Sequence, residues 1–167
     1  VDKTQGALVT DETSILVVDD DRAFRKVYGK LLRGEGYDVL QADDRPSARE
    51  SFASNDVDVV VLDLMLPPDG SVEAGLDQLA AMLDEKPSAK IIVASGAGDT
   101  KFMVDAVKKG AFDFLTKPID PDVLLIVVER ALTRVKLERR VEDLQDTLSR
   151  ERPEDTMIGQ SDAFENA

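Results

Sequence analysis

"VVVLDLMLPPDG", residues 59–70, decides how this chain is read. Four apolar residues, Val59 to Leu62, run directly into a carboxylate, Asp63, and four residues later the chain reaches Pro67 and Pro68. A continuous apolar run of this kind marks a strand covered on both faces, as in a parallel sheet. A carboxylate at the end of such a strand is either a turn former or a group placed where an open α/β sheet does its chemistry.

Working outward, the same pattern repeats. Ile15–Val18 reads as a first strand, and Phe24, Val27, Tyr28, Leu31 and Leu32 give the next segment one apolar helical face, stopped by Gly34 and Gly36. Val39–Ala42 is a second strand. Pro46 opens a helix with Ala48, Phe52 and Ala53 inward. The third strand spans Val57–Leu62, and Leu76, Leu79, Ala80 and Leu83 mark the third helix. Lys90–Ala94 is a fourth strand, Phe102, Met103, Ala106 and Val107 line a fourth helix ended at Gly110, and Phe112–Thr116 is a fifth strand. Asp120 and Pro121 supply a cap and a first-turn proline for a fifth helix. Strands alternating with helices imply an α/β fold with a doubly wound, five-stranded parallel sheet.

The fifth helical pattern continues past Val128, Leu132 and Val135, then shifts phase to Leu137, Val141, Leu144 and Leu148. That 4-3-4 spacing suits a short coiled-coil seam, and a single solvated helix is the alternative. Pro153 is expected to end it. The expected organisation is a flexible leader over 1–13, a folded domain over 14–135, a linker helix over 136–152 and the start of a further domain over 153–167.

Composition narrows the chemistry. The chain has 167 residues, 21 basic and 34 acidic, for a formal charge of −13. That balance argues against nucleic-acid binding through a basic surface. Cysteine and histidine are both absent, so thiolate metal sites, disulfides and imidazole bases are excluded. No apolar run is long enough to span a membrane and Val1–Ser14 is too polar for a signal peptide, so a cytoplasmic setting is expected.

Candidate site residues fall at the strand ends: Asp19, Asp20 and Asp21 after the first, Asp63 after the third, Ser95 and Gly96 after the fourth, Lys117 and Pro118 after the fifth. Clustered carboxylates repel unless a cation holds them. Mg²⁺, a hard ion that takes oxygen ligands, suits them. Lys117 adds fixed positive charge, Ser95 a hydroxyl donor, and Asp63 an oxygen nucleophile able to form an aspartyl phosphate. Taken singly, each has a plainer reading as a turn residue, cap or surface group; Asp21 in particular reads as the cap of the first helix.

The segments "ILVVDDD", "VVVLDLMLP", "IIVASGAG" and "GAFDFLTKPID" resemble the receiver domain of two-component response regulators over roughly Ser14 to Val135. The resemblance implies the flavodoxin-like strand order 2-1-3-4-5. It implies Asp63 as phosphoacceptor, and Asp19, Asp20, Asp63 and the Met65 backbone carbonyl as Mg²⁺ ligands. It also implies Ser95 and Phe114 as switch residues, Lys117 as the phosphoryl-contacting lysine, and a cis bond before Pro118. A sensor histidine kinase is the implied phosphodonor. The implied homodimer would use the receiver face and the Leu137–Val141–Leu144–Leu148 seam. "MIGQSDAF", residues 157–164, is similar to the start of the ATPase domain of sigma-54-dependent activators of the nitrogen-regulator type, so DNA and RNA polymerase would be met by domains outside this sequence. The double proline is similar to a subgroup associated with exopolysaccharide and exosortase systems. The loop "LPPDGSVEAGLDQL" is longer than the usual receiver loop. It either alters kinase access and phosphoryl lifetime or is inert.

Two other classes compete. A Mg²⁺-dependent phosphohydrolase would use the same nucleophile but commonly carries an acid two residues later, where this chain has Met65. A degenerate receiver would serve only for dimerisation. A nucleotide-binding domain is disfavoured because acids, not a glycine-rich loop, follow the first strand.

Overall fold

A computed structural model describes residues 13–67 and 70–151. The expected leader over 1–13, apart from Thr13, and the expected domain start over 153–167, with its helix-ending Pro153, lie outside the described residues. The elements run β1 (Ser14–Val18), α1 (Arg22–Gly34), β2 (Asp38–Ala42), α2 (Arg45–Ser54), β3 (Val59–Leu62), α3 (Val72–Glu85), β4 (Lys90–Ser95), a 3₁₀ turn (Ala97–Phe102), α4 (Met103–Lys108), β5 (Asp113–Thr116) and α5 (Pro121–Glu151).

The five strands form one parallel sheet in the order β2-β1-β3-β4-β5, the order the resemblance implies. Successive side chains leave a strand on opposite faces, so the continuous apolar runs feed two cores. Leu16, Val18, Val60, Leu62, Ile91 and Val93 meet residues of α2, α3 and α4, including Phe52, Leu79 and Ala106. Ile15, Val17, Val59, Val61, Ile92 and Ala94 meet α1 and α5 through Leu32, Leu124 and Val128. All four residues of β3 are buried, whereas edge strand β2 is partly exposed.

Local chemistry sets the helix ends. Asp21 caps α1 by accepting from the Ala23 and Phe24 amides. Asp44 and Ser47 form a reciprocal capping box on α2. Ser71 caps α3 through the Ala74 amide. Asp120 accepts from the Asp122 amide at the start of α5. Gly36, with φ 93°, takes the left-handed turn after α1 that other residues resist.

Several expectations need correction. β3 begins at Val59, not Val57, because Asp58 turns its carboxylate onto the Ser14 amide. β5 begins at Asp113, not Phe112. On α4 only Ala106 is buried; Val107 is 53% exposed and Met103 also faces outward. The preceding 3₁₀ turn leaves α4 only six residues long, so it has no full amphipathic face to bury. Val27 is 57% exposed, since the buried stripe of α1 runs through Phe24 and Leu32. Ala53 is exposed too.

The described residues form two units, one ending at Thr133 and one beginning at Arg134. In the second unit the described residues continue α5, and Leu137, Val141, Leu144 and Leu148 are each more than half exposed. Among the described residues no helix is long and apolar enough to cross a membrane.

Candidate functional site

The carboxyl ends of β1, β3, β4 and β5 bring the candidate residues together. Each is held by the sheet itself. Asp19 donates its amide to Ala42 O at 3.1 Å, Asp63 to Val18 O at 2.9 Å, and Lys117 to Ser95 O at 2.7 Å. The ladder thus extends one residue past each strand, and the order reverses between β1 and β3, where open α/β sheets bind ligands.

Asp19, Asp20 and Asp63 each offer a carboxylate oxygen, and these lie within 4.8 Å of one another. Asp19 and Asp63 are buried; Asp20 is exposed. Lys117 Nζ bridges the two buried acids, 2.5 Å from Asp19 Oδ2 and 3.2 Å from Asp63 Oδ2. Its ammonium also stands 4.5 Å from the centroid of the Phe24 ring. Asp63 Oδ1 accepts from the Met65 amide at 3.0 Å, and Asp19 Oδ1 from the Asp21 amide at 2.9 Å. The Lys117–Pro118 bond is cis.

Burial raises the pKa of both Asp19 and Asp63 above the ordinary value of 3.8. The Lys117 ammonium and the Asp21 and Met65 amides oppose that rise without cancelling it, and a neighbouring carboxylate adds to it in each case. For Lys117 burial acts against the charge, but Asp19 and Asp63 together outweigh it, so its pKa is raised above 10.5. The ion pair therefore wins at the lysine and loses at the acids. That is what one cation among three carboxylates should do.

Ser95 is fully buried at the end of β4, and its hydroxyl has no hydrogen-bond partner among the described residues. A buried orphan hydroxyl costs about 1–3 kcal/mol. Such groups are rare unless they serve a ligand. Phe114 is buried in the core that faces α2, α3 and α4, and Met65 is exposed.

The donor set is entirely carboxylate oxygen. It fits a hard divalent ion such as Mg²⁺ rather than a soft metal.

Three participants were not singled out from the sequence. Phe24 reads there simply as a core residue, yet its ring faces Lys117. Arg25 donates to the Asp19 carbonyl at 2.8 Å. Arg45 Nη2 donates to the carbonyls of Leu64 and Ser71, both at 2.9 Å. No local pattern marks a long-range side-chain-to-carbonyl contact.

Residues 15–129 match the family model described as the response regulator receiver domain. The nitrogen assimilation regulatory protein NtrX of Azorhizobium caulinodans is 32% identical over 151 residues, covering 90% of this chain and 32% of that protein. The chemotaxis protein CheY of Listeria monocytogenes is 33% identical over 118 residues, covering 70% of this chain and 96% of that protein. A crystal structure of NtrX from Brucella abortus superposes with a TM-score of 0.72 at 36% identity, over 80% of this chain and 30% of that one. This chain therefore spans about a third of the length of the NtrX relatives it matches.

Proposed function

This chain belongs to the response regulator receiver domain family, and on that premise we propose that Asp63 accepts a phosphoryl group from a partner histidine kinase. The observation that carries the reading is Lys117 Nζ bridging Asp19 and Asp63 across the ends of β1, β3 and β5. Asp63 Oδ1 is engaged by the Met65 amide, so Oδ2, on the Lys117 side, is the attacking oxygen. The bond from phosphorus to the donor breaks as the bond to Oδ2 forms. The donor's imidazole leaves with its electron pair. Asp20 and Asp63, with Asp19 and the Met65 carbonyl, would hold Mg²⁺, which offsets charge on the transferring group.

The chain's own residues then respond. Lys117 already lies at Oδ2 and ion-pairs the new dianion. The Ser95 hydroxyl, otherwise unpaired, donates to a phosphoryl oxygen. As Ser95 moves, Phe114 turns into the space behind it and reshapes the face of α4, β5 and α5. A ligand shifts such an equilibrium only by its differential affinity for two states that already exist. The chain serves as a phosphoacceptor that assists its own transfer and slow hydrolysis, not as a turnover enzyme.

Residues 14–135 form the receiver, 136–152 the linker helix and 153–167 the start of an ATPase domain. Leu137, Val141, Leu144 and Leu148 pair two linkers, so phosphorylation controls assembly of a cytoplasmic sigma-54-dependent activator. Membership of an exopolysaccharide-associated subgroup is part of the same reading.

The test is mass measurement after incubation of wild type and Asp63→Asn with acetyl phosphate and Mg²⁺. Wild type should gain one phosphoryl group and the variant none. Equal labelling of both removes Asp63 from the role.

A further inference from the structure

Leu64 C=O and Met65 N–H are the two ends of one peptide unit, and a planar trans unit points them in opposite directions. The N–H end donates to Asp63 Oδ1 at 3.0 Å. The C=O end accepts from Arg45 Nη2 at 2.9 Å. The plane is therefore gripped from both sides, by the acid at one end and by a guanidinium at the other. From this juxtaposition we propose that Arg45 is a positioning residue for Asp63, acting through the Leu64–Met65 peptide. The proposal rests on the reading of Asp63 as phosphoacceptor.

The grip is built from several contacts. The same Nη2 holds Ser71 O, the carbonyl of the residue that caps α3. Arg45 Nη1 is 3.4 Å from Gln78 Oε1, and Gln78 Nε2 donates back to the Arg45 carbonyl at 3.2 Å. The Arg45 amide donates to Pro67 O at 3.2 Å. One residue at the start of α2 thus ties the chain just after the nucleophile, at Leu64, to the chain where α3 begins, at Ser71. Gly75 completes the seat: a Cβ there would stand 2.1 Å from Leu64 O, so only glycine lets the carbonyl lie where the guanidinium meets it.

Two physical effects follow. Arginine's planar fork binds two carbonyls at fixed geometry, which a lysine ammonium reproduces less well. A cation on a carbonyl also polarises its peptide unit, and the N–H at the other end becomes a stronger donor. Arg45 therefore fixes the Asp63 side chain with Oδ2 turned toward Lys117, the orientation the attack needs. Without it the peptide can rotate and Asp63 samples orientations that do not face Lys117.

Selective ¹⁵N-methionine labelling reads the peptide directly, since the chain has four methionines and Met65→Leu assigns the signal of interest. In Arg45→Met the Met65 amide proton should move upfield, and labelling by acetyl phosphate should slow roughly three- to tenfold. Arg45→Lys should recover part of both. Gln78→Leu, which removes only the brace, should shift both in the same direction by less. Wild-type amide position and wild-type rate in Arg45→Met overturn the proposal, even if its melting temperature falls, because that result leaves Arg45 a structural tie alone. Should Arg45→Met fail to fold, Arg45→Lys and Gln78→Leu decide on the same readouts. Failure of the wild type to label sinks the Asp63 reading instead, and the amide shift still decides whether Arg45 orients the peptide.

Discussion

Gly75→Ala should destabilise the domain although alanine is the better helix former. Gly75 lies in the first turn of α3, where alanine would gain about 1 kcal/mol of intrinsic propensity. Its Cβ, however, would stand 2.1 Å from Leu64 O and 2.7 Å from both Leu64 C and Leu64 Cα. An ordinary carbon contact is about 3.5 Å, so the closest approach is short by more than about 1 Å. All three neighbours are backbone, so no rotamer change relieves them. Leu64 cannot retreat, because its side chain is fully buried and its carbonyl is bound by Arg45. Relief requires α3 to lift, which loosens Leu76 and Leu79 from the core. Overpacking costs typically about 1–3 kcal/mol, and a backbone clash belongs at the upper end. Subtracting the propensity gain leaves a net loss of about 2 kcal/mol, a fall in Tm of roughly 4–8 °C for a domain of this size. The control is Gly34→Ala at the end of α1, where a Cβ meets nothing within 4 Å. There the same substitution should stabilise by about 0.5 kcal/mol. Thermal and urea unfolding of the two variants side by side give the answer. If both shift in the same direction, or Gly75→Ala melts at or above wild type, the close-approach reasoning is wrong.

Other outcomes are also expected. Ser95→Ala removes an orphan hydroxyl, so it should raise stability by about 1 kcal/mol while slowing acetyl phosphate labelling, as melting and mass measurement will show. Burial raises the Asp19 and Asp63 pKa values, so between 3.8 and those raised values the folded state binds more protons than the unfolded. Stability must then fall as pH rises through that window. Urea midpoints in chelator should show Asp63→Asn more stable than wild type near neutrality, with the gap closing toward pH 3.8. Lys117 follows the same sign at higher pH: its stabilisation is fully present below 10.5 and is lost as pH rises through its raised value, less so in Asp63→Asn. Mg²⁺ at about ten times its Kd should stabilise wild type by about 1.4 kcal/mol in a calorimetric scan, reversibly with chelator, and Asp20→Asn should blunt the effect. On the proposed pairing of linker helices, Leu144→Asp should shift sedimentation toward monomer without changing the receiver's far-ultraviolet spectrum.

How much was legible in the sequence differs by element. β3 is readable because Val59–Leu62 is buried on both faces, and such strands cannot hide their composition. The meeting of Asp19, Asp20 and Asp63 with Lys117 is readable because these residues sit at strand ends, where a doubly wound sheet must bring them together. α4 was not, since a 3₁₀ turn precedes it and leaves six residues with one buried position, too few for a period to show. Arg45 was invisible for a different reason. Its partners Leu64 and Ser71 are 19 and 26 residues away and are met through their carbonyls, which carry no side-chain identity. The helical spacing places Phe24 in the core, where it lies, but its place against Lys117 depends on how α1 packs over the strand ends.

These features share one physical cause. Asp19, Asp63 and Ser95 are buried by the same sheet that aligns them, and burial makes each of them unfavourable by itself: the acids through desolvation and mutual repulsion, the hydroxyl through a missing partner. A single cation, Lys117, relieves part of this and cannot relieve it all. A dianionic group on Asp63 would meet the hydroxyl and the ammonium together, while a hard metal ion answers the added charge. The fold therefore carries a local instability that the proposed phosphoryl group would remove. Because the unsatisfied groups lie at the ends of three different strands and the relieving cation at the end of a fourth, removing it must be felt along the whole edge of the sheet rather than at one side chain.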